Sequence, residues 1–206
     1  MITAEDAATF GRCIAVGGVA VFPADTVYGL ACEPDLDDAV ARLYELKGRR
    51  PDKPSAVMFF DVRLALAALP ELGERTRAAA EALLPGGVTL LLPNPAHRYP
   101  LAAGPDPDTI GLRVPALPPA AAALHAVRWP VMQSSANHAG GPDARRLQDV
   151  PEDIRREADM LLDGGELPGT PSTVVDLRQF EATRDWHVVR EGALARDELR
   201  ERIGYL

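Results

Sequence analysis

Cysteine is nearly absent from this chain of 206 residues. Cys13 and Cys32 are too few and too isolated to frame disulfides or a zinc site. The four histidines (His97, His125, His138 and His187) never fall at a metal-ligand spacing, so no metal site of the protein's own is expected. No run approaches the roughly 18 apolar residues of a membrane span. The opening residues lack the basic-then-apolar order of an export signal. The expectation is a cytoplasmic protein with no membrane partner. Aromatic residues make up only 5% of the chain, and 22 basic side chains face 30 acidic ones for a net charge of -8. Both facts argue against a surface that wraps or stacks nucleic acid, although a local basic cleft remains open. Lysine is confined to Lys47 and Lys53, which share one short segment with Arg49 and Arg50. There is no Walker A loop and no G-x-G-x-x-G, so any nucleotide must be held by another device. No G-x-S-x-G elbow surrounds Ser135, which disfavours a nucleophilic hydrolase.

What is present is ordinary for a globular protein: 47% hydrophobic and 25% charged residues, enough to bury a core without staples. A single domain over residues 1–206 is expected. Thr3 with Asp6 three places on starts a helix that stops at Gly17-Gly18. Val19–Phe22 reads as a strand, and a stripe at Leu36, Val40, Leu43 and Leu46 as a helix. Strands are expected at 55–60, 88–92, 109–114, 131–133, 160–162, 173–177 and 186–190, with a Pro-rich loop from Pro93 to Pro107 between the second and third of these and a Gly-containing loop from Ser134 to Ala144 after the fourth. Helices are expected within 61–84 and at 118–127, 151–158 and 196–203. Strands and helices alternate, so the class is α/β with a mixed sheet.

Four polar clusters interrupt the apolar pattern. Pro23–Leu30 follows a strand, where open sheets bind ligands; Thr26 offers a hydroxyl, while Asp25 suits an Asx turn. Lys47–Lys53 puts four cations within seven residues, a phosphate clamp or a solvated basic turn. Gln133–Asn137 brings two hydroxyls and an amide to a strand end, or forms a capped turn. Gly169–Asp176 places Ser172 and Thr173 at the start of a strand, with Arg190 downstream. Arg113 lies inside a strand, where an inward-facing arginine needs an anion, of the protein or of a substrate.

In this order, the clusters resemble the threonylcarbamoyl-AMP synthase family of YrdC/TsaC type. The resemblance runs from about residue 5 to 192. It rests on Pro23–Leu30 (the family's P-T-x-T-V-Y-G-L), Lys47-Gly48-Arg49 (its K-x-R), Ser135-Ala136-Asn137 (its S-x-N) and Ser172–Asp176 (its S-T-V-V-D). It implies a twisted mixed sheet flanked by helices, with a concave basic cleft, and the short form of the family without a further C-terminal domain. It implies an ATP-binding nucleotidyltransferase that makes L-threonylcarbamoyladenylate and pyrophosphate from L-threonine, bicarbonate or CO₂, and ATP, with Mg²⁺ accompanying the nucleotide. Downstream it implies a TsaD-type transferase that modifies adenosine 37 of tRNA. By the same resemblance Thr26, Met58, Arg113, Ser135 and Ser172 surround threonine. Lys47, Arg49, Lys53, Thr109, Asn137, Arg145 and Arg190 surround ATP, and Lys47, Arg49, Ser135 and Asn137 carry the catalysis. The chain departs from the pattern where Lys53 replaces a frequent Asn, Met58 a frequent His, and Ala24 a frequent Thr. The competing readings are a double-stranded RNA or tRNA-binding module and a catalytically silent paralogue of the same fold.

Overall fold

Thr3 and Asp6 form the reciprocal capping box that their spacing predicts: the Thr3 hydroxyl accepts from the Asp6 N–H at 3.1 Å, and the Asp6 carboxylate from the Thr3 N–H at 2.8 Å. In the computed structural model, which describes residues 1–50 and 52–206, this cap opens α1 (Ala4–Ala15). Gly17 beyond it has φ +84°, the left-handed conformation that glycine adopts at no steric cost. There follow β1 (Ala20–Pro23), β2 (Tyr28–Cys32), α2 (Asp37–Lys47), β3 (Ala56–Met58), α3 (Val62–Ala68), α4 (Glu74–Leu83) and β4 (Val88–Pro93). The chain continues through α5 (Pro100–Ala103), β5 (Thr109–Arg113), a 3-10 helix (Pro119–Ala126) and β6 (Val131–Ser135). A 3-10 turn (Leu147–Asp149), α6 (Glu152–Glu157), β7 (Met160–Leu161), β8 (Thr173–Asp176), α7 (Phe180–Thr183), β9 (His187–Arg190) and α8 (Arg196–Ile203) complete it.

The strands form one nine-stranded mixed sheet in the order β7-β1-β2-β6-β3-β5-β4-β8-β9. Three sequence expectations are corrected. Pro23–Leu30 is not merely a turn: its second half is β2, paired antiparallel with β1 from Pro23↔Tyr28 to Ala20↔Ala31. Ser134 and Ser135 belong to β6, not to the loop after it, because both pair with β2. The Pro-rich stretch after β4 contains the helical turn α5.

Side chains alternate across the sheet with the period of two that strands impose. On one face Val21, Leu30, Val57, Leu90, Ile110, Leu112, Met132 and Val175 join a large apolar cluster with α2, α4, α6 and α8. The opposite face is divided. Toward β1 it is covered by α1 and the longer 3-10 helix, which enclose Phe10, Phe22, Met58, Phe60, Leu124 and Val131. Toward β8 it is left open, and several of the candidate side chains lie there.

Candidate active site

The uncovered half of that face is the floor of a cavity of about 370 Å³, within the usual range for small-molecule sites. Its axis is β5, which contributes Thr109, Gly111 and Arg113 at alternate positions, a span of about 13 Å at strand rise. Ala56 of β3, Thr89 and Leu91 of β4, Gln133 and Ser135 of β6, Val174 of β8 and Arg190 of β9 complete the floor and rim, together with Arg49, Asp106, Asp143, Ser172 and Arg178 from loops. Four arginines thus face two aspartates around one hollow.

Arg113 is buried in the wall. Its Nη2 donates to the Thr26 hydroxyl at 2.7 Å and to the Asp25 carboxylate. The second Asp25 oxygen accepts from the Ala116 N–H at 3.1 Å. Burial pulls the Arg113 pKa down from its ordinary value, and the Asp25 charge opposes this. The buried Nε has no hydrogen-bond partner among the described residues. Asp25 therefore serves as the anion that a strand-interior arginine requires, in place of the expected Asx turn. Nearby, Arg190 donates to the Ser172 carbonyl at 2.6 Å and to its hydroxyl at 3.3 Å, and that hydroxyl bonds Thr89 Oγ1 at 2.8 Å. At the Thr109 end, Arg178 grips the buried Asp176 and reaches the Thr109 hydroxyl at 3.3 Å. Burial pushes the Asp176 pKa up, but the hydrogen bonds from Arg178 outweigh it and leave the carboxyl below its ordinary value.

Arg49, Thr109, Arg113, Ser135, Ser172 and Arg190, all singled out by the resemblance, line this cavity, and Thr26, outside the lining, bonds Arg113 from behind. The basic segment does not act as one clamp. Only Arg49 lines the cavity, fixed by its bond to the Pro54 carbonyl at 2.7 Å. Arg50 pairs with Asp52 at the surface, Lys53 is exposed outside the wall, and Pro51 lies outside the described residues.

Lys47 is buried and spends its ammonium donors on protein oxygens: the Ser135 carbonyl, the Asn137 carbonyl at 2.8 Å and Asn137 Oδ1 at 2.9 Å. Burial, and then the Arg49 charge, lower its pKa to about 8 against the pull of Asp143. Asn137 is buried with it, accepting from the Ser135 hydroxyl at 2.7 Å and donating to the Gly141 carbonyl at 2.7 Å. Both residues stand behind the wall and fix Ser135; neither is part of the lining. Arg145 is drawn away from the cavity by Glu166 at 2.8 Å. Met58 pairs in register with Arg113 but is sealed in the apolar cluster with Phe22 and Phe60, since a strand position under α1 cannot also face the hollow. Sequence reasoning missed Asp25, Thr89, Asp106, Asp143 and Arg178. Arg178 was within reach, because Asp176 closes a strand and an arginine two places on can fold back to it.

Among the described residues no group of His, Cys, Asp and Glu is placed to hold a metal ion, and no helix is long and apolar enough to cross a membrane. The Sua5/YciO/YrdC family model, described as "Telomere recombination", matches residues 12–192. A threonylcarbamoyl-AMP synthase of Xanthomonas campestris pv. campestris is 35% identical over 176 residues, 84% of this chain and 93% of that protein. One of Pyrococcus abyssi is 31% identical over 189 residues, and there the match spans 91% of this chain but only 54% of the relative. The crystal structure of P. abyssi Sua5 complexed with L-threonine superposes with a TM-score of 0.83 at 29% identity, covering 99% of this chain and 59% of that one. E. coli YciO shares the fold, with a TM-score of 0.77 at 24% identity over 93% of this chain and 91% of that one. The extent of the family match and the identity to full-length relatives place this chain in the Sua5/YciO/YrdC family.

Proposed function

We propose that residues 1–206 act as one catalytic unit, a nucleotidyltransferase that makes L-threonylcarbamoyladenylate and pyrophosphate from L-threonine, bicarbonate or CO₂, and ATP. The observation that carries the reading is the convergence of Arg49, Thr109, Arg113, Ser135, Ser172 and Arg190, from separate segments of the chain, on one cavity. In this reading Arg113 receives the threonine carboxylate on the part of its guanidinium that Asp25 leaves free, with Ser135 and Ser172 beside it. The threonine amine adds to CO₂ and loses a proton, giving a carbamate. A carbamate oxygen then attacks the α-phosphorus in line; the P–O bond to the β-phosphate breaks, and pyrophosphate leaves with the electron pair. No side chain becomes covalently attached. The protein contributes orientation and fixed positive charge, from Arg49 and Arg190 directly and from Lys47 through the Ser135–Asn137 turn. Mg²⁺ would enter with the triphosphate, coordinated by phosphate oxygens and water as this cation prefers, with Asp143 the nearby carboxylate able to orient that water. The product would pass in the cytoplasm to a TsaD-type transferase acting on tRNA.

The test is pyrophosphate release by the purified protein without RNA. Release is expected only when threonine, bicarbonate and ATP are all present, and is expected to vanish in Arg49→Ala while the circular dichroism spectrum is kept. Release that ignores threonine or bicarbonate, or full activity of Arg49→Ala, would overturn the reading.

A further inference from the structure

Gly111 stands at the middle of β5, paired to Ala56 on one side and Leu91 on the other. Nothing in the strand demands a glycine there. Its φ is not positive, and a Cβ built on it would meet Ala56 Cα at 3.4 Å, Ala56 Cβ at 3.7 Å and the Ser55 carbonyl at 3.8 Å, all ordinary contacts. Gly29 is the contrast: there a Cβ would fall 2.9 Å from Gln133 Nε2, 3.0 Å from Phe22 and 3.3 Å from the Ser134 carbonyl, so the packing itself crowds a side chain. Glycine in a strand interior weakens the strand, and where packing does not need it, it marks the close approach of something else. The remaining direction for a side chain at 111 is the cavity.

Ala56, Gly111 and Leu91 are half-buried, whereas Val57, Leu90, Ile110, Leu112 and Leu92, their neighbours on the same strands, are fully buried. They make an uncharged strip across three adjacent strands, lowest at Gly111, with Arg113 and Thr109 each about 7 Å away along β5. Such a strip does not suit a zwitterionic amino acid, whose charges need the Arg113 end. It suits the face of a planar ring, which rests about 3.5 Å above the atoms beneath it.

We infer that Gly111 is a specificity-determining residue: its missing side chain leaves the space over β5 in which the base of the bound nucleotide lies against Ala56, Gly111 and Leu91. This rests on the nucleotide reading above. The experiment is calorimetric titration of the wild type, Gly111→Ala and Gly111→Val with α,β-methylene-ATP, inorganic tripolyphosphate and L-threonine, alongside thermal melting without ligand. Gly111→Ala is expected to melt at the same temperature or about 1–4 °C higher. Its affinity for the ATP analogue is expected to fall at least about tenfold, and that of Gly111→Val further, with tripolyphosphate and threonine changed less than twofold. Analogue affinity unchanged in Gly111→Val, equal losses for tripolyphosphate, a loss on threonine instead, or a lower melting temperature for Gly111→Ala would each overturn the inference. A wild type that binds no nucleotide would bring down the synthase reading and this inference with it; a wild type that binds while Gly111→Val is insensitive removes the inference alone.

Discussion

One face of the sheet is two environments, and the border between them crosses single strands. In β3, Met58 is sealed among phenylalanines while Ala56, two residues earlier, is on the cavity floor. In β6, Val131 is sealed and Gln133 is on the floor. The closed half is held by aromatic contacts, with ring centroids of Phe10, Phe22 and Phe60 between 5.5 and 6.1 Å apart. The open half is held by charge-assisted hydrogen bonds around Arg113, Arg190 and Arg178. The backbone is the same; what differs is whether α1 and the longer 3-10 helix cover it. Where they do, a polar side chain would be stranded without water or partner. Where they do not, the sheet can carry arginines that line a cavity.

The sharpest way to break this comparison is Arg113→Ala. Removing the guanidinium leaves Asp25 buried without its counter-charge, which should destabilise the fold by about 3–5 kcal/mol and lower kcat/KM for threonine on the order of 10³-fold. Adding Asp25→Asn to that variant should return most of the stability and none of the activity. If the double variant regains turnover, Arg113 is a structural residue and the open half is not organised around it. The matching change in the closed half is Phe60→Ala. It should cost a similar amount, about 3–5 kcal/mol of unfolding free energy in urea, yet leave the KM values of the folded fraction within twofold.

The division between halves explains what the sequence could reveal. Alternation and capping residues located most of the longer elements, though not β2, because each depends on a few neighbours: Thr3 with Asp6 for α1, or the stripe Val40, Leu43 and Leu46 for α2. The motif residues of the open half were legible as polar interruptions at strand ends. What stayed hidden is set by tertiary contact. Lys47 and Arg49 are two residues apart, yet one turns under the floor and the other into the hollow, because Gly48 between them closes α2 in a left-handed conformation with φ +57°. Met58 was placed beside threonine by alignment with a motif, but local sequence does not say where α1 comes to rest. Asp25 lay inside a motif, and its bond to a residue 88 positions away is a property of the sheet.

Lys47 probes the layer between the halves. Lys47→Met keeps the apolar stem and removes the three bonds that hold Ser135 and Asn137. The fold should persist, with kcat/KM reduced about 10²-fold by the slackened turn. The pH dependence separates its two roles. Its folded pKa is lowered to about 8 from 10.5. Between those values the unfolded chain keeps a proton that the folded chain has released, so this group's contribution to stability rises with pH across that window. Below about 8 both states are protonated, and the cost of the buried charge is fully present. Activity should run the other way, falling above pH 8 as the ammonium that locks the turn is lost. Subtracting the Lys47→Met profiles from those of the wild type isolates both slopes; parallel profiles would exclude Lys47 as their source.

The smallest effect is expected at Met58, and its smallness is the point. Leucine conserves the volume and apolar character of the side chain, so Met58→Leu should shift the unfolding free energy by less than about 1.5 kcal/mol. Because the side chain is enclosed with Phe22 and Phe60 and does not reach the cavity, the KM for threonine should be unchanged and the preference for threonine over serine should stay as in the wild type. A several-fold change in that preference, with stability intact, would mean that the closed half opens during turnover and that the border across β3 is drawn one residue pair too early.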